Sequence, residues 1–179
     1  MHSIPGIYLA FSSVEFIMRD VSNCWLIRHS HANEAFMFLI VVYYCTFRGL
    51  HYGSYIKFCQ LLWCFRTLIC ILMMATAFMV HVLPWGQMSF WGATVITSFV
   101  TAIPVIGQSI VDWLWGGFII NNATLNRFFS LHFFLLFFIA GITLIHSALL
   151  HKNGSNNPLG VDREFHFIFI SLFFIYQIL

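Results

Sequence analysis

The chain has 179 residues, of which 60% are hydrophobic and only 8% are charged, whereas about a quarter of the residues of a soluble domain are charged. This composition excludes an ordinary soluble enzyme and indicates a protein that is embedded in lipid. The formal net charge is +2 and the basic residues form no run, so no nucleic-acid partner is expected.

Three apolar segments come near the length of about 20 residues that a helix needs to span a bilayer. The first covers residues 35–50 and is extended upstream by 31–34, the second covers 61–83, and the third covers 128–150. A fourth stretch, 165–179, is apolar but marginal in length, which also suggests an incomplete chain. We therefore expect an all-α membrane protein, a transmembrane helix bundle with three clear spans plus a partial fourth.

The connection between the second and third spans, residues 84–127, is too long and too apolar for an ordinary loop. It contains two Trp-rich amphipathic pieces, at about 88–100 and 106–115, which Pro104 separates. Tryptophan suits the interface between lipid and water, where an indole lies half in the headgroup region. We predict two surface amphipathic helices between spans two and three.

Two histidines lie in the third span, and an ionisable residue inside a span is by default a functional hypothesis. His132 and His146 are 14 residues apart, so both rings leave the same helix face about 21 Å apart along the axis. The first span repeats this spacing with His31 and Cys45. Because one span intervenes, the first and third spans run in the same direction, and His31 lies level with His132 as Cys45 does with His146.

Each of these two levels can hold a planar cofactor or a metal between two helices, as in bis-histidine haem sites. One zinc or copper ion would need its ligands close together, so two levels about 20 Å apart suit two haems better. The five cysteines include no CxxC pair, which argues against a zinc ribbon and against covalent haem attachment. The alternative is that both histidines are hydrogen-bonded interhelical residues without a cofactor.

The sequence resembles the cytochrome b family over residues 9–162. The most specific match is LPWGQMSFWGATVIT at residues 83–97. Shorter matches are AFSSV from Ala10, RDV from Arg19, HAN from His31, FRG from Phe47, WLWGGF from Trp113, ATLNRFFSLHF from Ala123 and GSNNPLGV from Gly154. By this resemblance the three spans correspond to the family's second, third and fourth helices, and the family's other helices are absent.

The resemblance implies electron transfer from quinol through b haems in the respiratory bc1 complex, with ubiquinone as a second cofactor. The chain would at most be a component of quinol:cytochrome c oxidoreductase. The implied setting is multi-pass in the mitochondrial inner membrane, with other bc1 subunits and a second polypeptide that supplies the missing helices. The alternative is a non-catalytic, truncated or rearranged mitochondrial copy that binds one haem or none.

The expected organisation has three parts. An N-terminal segment and pre-helix loop covers residues 1–30, and a cytochrome b-like haem-binding helix bundle covers 31–162. An unmatched hydrophobic tail covers 163–179.

The resemblance also implies the haem ligands. His31 and His132 match the axial ligands of the haem near the outer membrane surface, and we call this pair the outer layer. His146 matches one ligand of the haem near the inner surface, and Cys45 occupies the position of the fourth ligand. We call Cys45 and His146 the inner layer.

Three departures from the family place bulk or charge beside these layers. The family's third helix presents glycines to the two haem edges, because only glycine lets a backbone approach a porphyrin so closely. This chain has Val80 at the outer position and Arg66 at the inner one, and Glu34 replaces a further glycine beside His31. We expect haem b in the outer layer rather than in the inner one, which Arg66 leaves empty or five-coordinate.

The resemblance assigns three further groups of site residues. Two match the arginines that pair with haem propionates, although they could also be charges at helix ends that reach towards water; these are Arg28 and Arg48. Four match walls of the outer quinone pocket, namely Phe78, Gly92, Val95 and Ile96. Three match the inner quinone pocket, namely His151, Ser155 and Asn156.

Overall fold

The computed structural model describes residues 3–55 and 60–154 of the chain. This part of the chain is helical and contains no strand, so the all-α prediction is confirmed. The helices are α1 (Ala10–Arg19), α2 (Cys24–His51), α3 (Gln60–Val82), α4 (Gln87–Ser98), α5 (Gly107–Trp115) and α6 (Asn122–Asn153), with a 3-10 segment at Phe99–Ala102 after α4. The predicted partial span at 165–179 lies outside the described residues.

Two of the described helices are long and apolar enough to cross a membrane, α3 and the Asn122–Lys152 part of α6. They coincide with the predicted second and third spans. Helix α2 lies at the predicted first span and has 28 residues, but polar and charged residues such as Arg28 and Glu34 lower the hydropathy of its first half. Helix α2 also begins earlier than predicted, because its first turns lie within the N-terminal segment that was expected to be a loop. The whole of α1 lies within that segment too.

The two helices predicted between the spans are present as α4 and α5. The indole nitrogen of Trp115 donates a hydrogen bond to the Thr97 hydroxyl at 2.7 Å, which ties α5 to α4. The Thr124 hydroxyl donates to the Trp115 carbonyl at 3.0 Å, which ties α5 to α6. These two bonds link the three helices to one another and give the Thr97 and Thr124 hydroxyls their partners.

A capping box starts α6. The Asn121 side chain accepts a hydrogen bond from the Ala123 N–H at 2.8 Å, and the Asn121 N–H donates to the Thr124 hydroxyl at 3.1 Å. Such reciprocal bonds satisfy N–H groups that the first turn of a helix leaves without partners. The capping box therefore fixes where α6 begins, and with it the positions of the histidines along α6.

A buried cluster joins α3, α4 and α6. It consists of Met79, Val82, Ala93, Ile120 and Phe128, and the ring of Phe78 packs edge-on against Phe128 with centroids 5.7 Å apart. This cluster lies one helical turn from His132, because Phe128 precedes that residue by four positions on α6. The packing therefore fixes the height at which His132 lies.

Helix α3 packs against both α2 and α6, whereas α2 and α6 form no packed interface with each other within the described ranges. Gly49 is the one buried residue of α2. We call the space between α2 and α6, with α3 behind it, the α2–α6 cleft. A cofactor held between α2 and α6 would lie here, and its edge would face α3.

Replacement of Gly107 by alanine is expected to destabilise the fold. An added methyl group would clash with the Val100 carbonyl oxygen and stand 3.0 Å from the Thr101 Cα, both of which are backbone atoms. Because backbone cannot move aside as a side chain end can, we expect a loss of about 1–3 kcal/mol, the usual cost of overpacking. Thermal unfolding in detergent, followed by tryptophan fluorescence, measures it.

Gly141 is the matched control, since nothing lies within 4 Å of a methyl group added there. Gly141→Ala is expected to leave stability unchanged or to raise it by about 0.5–1 kcal/mol through helix propensity. Equal melting temperatures for Gly107→Ala and Gly141→Ala would contradict the close approach of α5 to the 3-10 segment.

Candidate functional site

The outer layer brings two imidazoles together across the α2–α6 cleft. His31 on α2 is exposed and His132 on α6 is half-buried, and the two rings are close enough to interact electrostatically. Nδ1 of His132 is buried and has no hydrogen-bond partner, although the backbone of Thr76 on α3 faces this ring. An unsatisfied buried nitrogen costs about 1–3 kcal/mol, so a partner at this position would stabilise the bundle.

The donors of the outer layer fit a haem. Two neutral imidazoles from facing helices are the ligand set of a bis-histidine b haem. A ligating histidine usually donates its other ring N–H to a backbone carbonyl, and the Thr76 backbone is placed to receive it from His132. Val80, four residues after Thr76 on α3, adds an uncharged, half-buried side chain at this level.

The inner layer is crossed by an arginine. From α3, Nη1 of Arg66 donates a hydrogen bond to the Cys45 carbonyl on α2 at 3.1 Å. The same nitrogen lies against Gly49, where an added methyl group would clash with it and stand 2.8 Å from the Trp63 ring. The Cys45 side chain is exposed. The guanidinium therefore packs on the backbone of α2 at the level of the predicted fourth ligand.

Arg66 also faces the histidine of the inner layer. Its charge interacts with the His146 imidazole, and the backbone of Leu62 faces the same ring. Two buried nitrogens here have no hydrogen-bond partner, Arg66 Nε and His146 Nδ1. The inner layer thus offers one imidazole and one free thiol beside a guanidinium, which has no lone pair for a metal, and this set does not fit a second bis-histidine haem.

Helix α3 places a backbone group beside each of the two α6 histidines, and these groups have the same 14-residue spacing as the histidines. Thr76 faces His132 and Leu62 faces His146, and these two residues are also 14 positions apart. In each case the residue four positions later, Val80 or Arg66, is the one that the resemblance places at a glycine of the family. Sequence reasoning located Arg66 and Val80 but missed the two backbone groups, for which the spacing itself was the available signal.

The two predicted propionate partners lie on α2, each about one turn from a layer. Arg28 is half-buried and precedes His31 by three residues. Arg48 is exposed, follows Cys45 by three residues, and lies over the Tyr52 ring with 5.1 Å from its Cζ to the ring centroid. Their roles stay predictions.

The predicted quinone-site residues do not form an enclosed pocket within the part of the chain that the structure describes. Phe78 is packed into the buried cluster, Gly92 has open space at its Cα, and Val95 and Ile96 are 53% and 47% exposed on α4. A nearby hollow of about 310 Å³ is lined by other residues, Trp85, Gly86, Gln87, Phe90 and Trp91. His151 is exposed near the end of α6, and Ser155 and Asn156 lie outside the described residues.

Among the described residues, no three histidine, cysteine or acidic side chains come together in a way that could hold a single metal ion. The structure instead separates the imidazoles into two levels along α6. This arrangement is compatible with a planar cofactor that takes one ligand from each of two helices.

The comparisons with known proteins agree with this arrangement. Residues 1–154 match the family model described as Cytochrome b/b6/petB. Cytochrome b of Phytophthora megasperma is 66% identical and that of Marchantia polymorpha 62% identical, each over 92% of this chain. These matches cover 43% and 41% of the two relatives, so the chain spans less than half the length of the curated relatives that it matches.

A solved structure described as "Hyperthermophilic respiratory Complex III" has a similar fold. Its TM-score with this chain is 0.81 and its sequence identity is 32%. The match covers 90% of this chain and 45% of that one.

Proposed function

We propose a function from the premise that this chain belongs to the cytochrome b family, whose model matches residues 1–154. The chain is a membrane protein that holds haem b in its outer layer and takes part in electron transfer from quinol in a respiratory bc1 complex. The observation that carries this proposal is the proximity of the His31 and His132 imidazoles, one on each side of the α2–α6 cleft, with the Thr76 backbone beside the His132 ring.

His31 and His132 hold the haem, and the bound haem supplies one-electron redox chemistry that no side chain of the chain can supply. The Thr76 backbone orients the His132 ring and raises its basicity as a ligand. Arg28, one turn from His31, pairs with a propionate, for which the bidentate guanidinium is suited. The buried cluster around Phe128 excludes water from the α3–α6 side of this layer.

The quinol is ubiquinol, and it binds beside α4. Gly92, Val95 and Ile96 contribute one wall there, and their open or exposed positions leave the opposite wall to other parts of the complex. Those parts are other bc1 subunits and the helices that the relatives have beyond the matched region. We propose that these helices come from a second polypeptide or from further chain, and that the assembly lies in the mitochondrial inner membrane.

Haem quantification with a reduced-minus-oxidised spectrum tests the proposal. We expect the detergent-extracted chain to contain a low-spin b haem, because two imidazole ligands give a strong ligand field. A short-chain ubiquinol should reduce this haem once the relatives' helices that lie beyond the matched region are co-expressed. Absence of haem from the intact polypeptide, both alone and with those helices, would favour the alternative of a non-catalytic copy.

A further inference from the structure

We infer that Arg66 takes the place of the inner haem: its guanidinium ties α3 to α2 in the inner layer and closes that layer to a porphyrin. The inference deepens the proposed function and rests on it, since it assigns the chain one b haem, held by His31 and His132. It also limits what the chain can do, because a chain with one haem has no second site for an electron on its way to the inner surface.

The first step of the argument is steric. A porphyrin is a rigid plate and needs an open gap between the two helices that ligate it. In the inner layer Nη1 of Arg66 spans from α3 to the Cys45 carbonyl of α2 at 3.1 Å. The guanidinium also lies against Gly49 of α2, where an added methyl group would clash with it. The arginine therefore occupies the α3 side of the cleft at this level, where the edge of a porphyrin would approach α3, whereas at the outer level α3 presents the shorter, uncharged Val80.

The second step concerns the ligands. A b haem of this family type takes an imidazole on each face of the iron. The inner layer offers one imidazole, His146, and the other position holds Cys45, which supplies no imidazole and whose carbonyl accepts a hydrogen bond from Arg66. A haem here would have one histidine ligand and would have to displace the arginine.

The third step concerns charge. Arg66 interacts with His146, and its Nε is buried without a hydrogen-bond partner. A ferric haem iron adds positive charge, which the neighbouring guanidinium disfavours in a medium of low dielectric constant. A charged arginine within a membrane is costly, and its hydrogen bond to the Cys45 carbonyl offsets part of that cost. An arginine already tied to α2 is thus held where a haem would have to enter.

The consequence is functional. By the 14-residue spacing, the inner layer lies about 21 Å from the outer haem along α6. Without a haem there, no cofactor of this chain carries an electron from the outer layer to the inner surface. Transfer to the inner surface would require a cofactor that another chain provides.

Haem stoichiometry in four proteins tests the inference: the unmodified chain, Cys45→His, Arg66→Ala, and the double variant Cys45→His/Arg66→Ala. Haem is measured as its pyridine complex and protein by amino-acid analysis. We expect one haem per chain in the unmodified protein and in Cys45→His, and two in the double variant, where both the ligand and the space are restored. Leu68→Ala, at an exposed position of α3, controls for substitution in that helix.

The outcomes separate the inference from the proposed function. Two haems in the unmodified chain overturn the inference and leave the proposed function standing. The inference is also overturned if the double variant has the melting temperature of the unmodified chain but binds only one haem. Removal of Arg66 would then not have opened the inner layer to a second haem. No haem in any of the four proteins overturns the proposed function and the inference together. A rise from one haem to two in the double variant alone supports both.

Discussion

The His132→Ala variant is expected to lose the b haem of the purified chain. Alanine removes one of the two proposed ligands, and the loss of even a group that only orients a ligand typically weakens metal binding about 10–100-fold. Removal of the ligand itself should therefore reduce haem affinity by more than about 100-fold. The measurement is the reduced-minus-oxidised absorbance of the b haem per mole of protein, and His31→Ala should give the same result from the other helix.

Two control variants make this prediction specific. His146→Ala removes the other half-buried histidine of α6 and should leave the haem in place, since we propose that the inner layer is closed. His29→Ala changes an exposed histidine of α2 whose ring lies edge-on to Trp25 at 6.4 Å, and it should also retain haem. If His146→Ala abolished the absorbance and His132→Ala preserved it, the assignment of the haem to the outer layer would be wrong.

Much of the fold followed from the sequence because long apolar runs leave few alternatives in lipid. Helices α3 and α6 match the predicted spans closely, since a chain in the bilayer must satisfy its backbone groups within each helix. The Trp-rich pieces around Pro104 predicted α4 and α5 because the connection is too long and too apolar for a loop. Helix α1 was missed because its ten residues are too few to span a membrane, and the first turns of α2 were missed because their polar residues interrupt the apolar run.

The candidate site was predictable only where helix geometry determines it. The spacing of 14 residues placed His132 and His146 on one face of α6, and the shared direction of α2 and α6 placed His31 opposite His132. The contact of Arg66 with the Cys45 carbonyl and with Gly49 could not be predicted from spacing. It depends on the rotamer of a long side chain and on the distance between α2 and α3, which only the packed structure provides.

The Phe128→Ala variant should be the most damaging of the single changes to stability that we predict. Phe128 is 2% exposed and packs with Met79, Val82 and Ala93 in the buried cluster, with the Phe78 ring edge-on to it. Truncation of a buried phenylalanine costs about 3–5 kcal/mol, because the removed contacts are lost and the cavity collapses only in part. Lipid does not reduce this cost, since packing itself holds membrane helices together.

Denaturant or thermal unfolding in detergent, followed by tryptophan fluorescence, measures this loss, because Trp85 and Trp115 pack against the cluster. Phe134→Ala is the matched control on the same helix. Phe134 is 60% exposed, and its only ring contact among the described residues is the stacked Phe138. Its loss should therefore change the free energy of unfolding by less than about 0.5 kcal/mol. Because Phe128 lies one turn from His132, the same cavity should also loosen the outer layer. A Phe128→Ala chain that unfolded like Phe134→Ala and kept its haem would show that this cluster does not position His132.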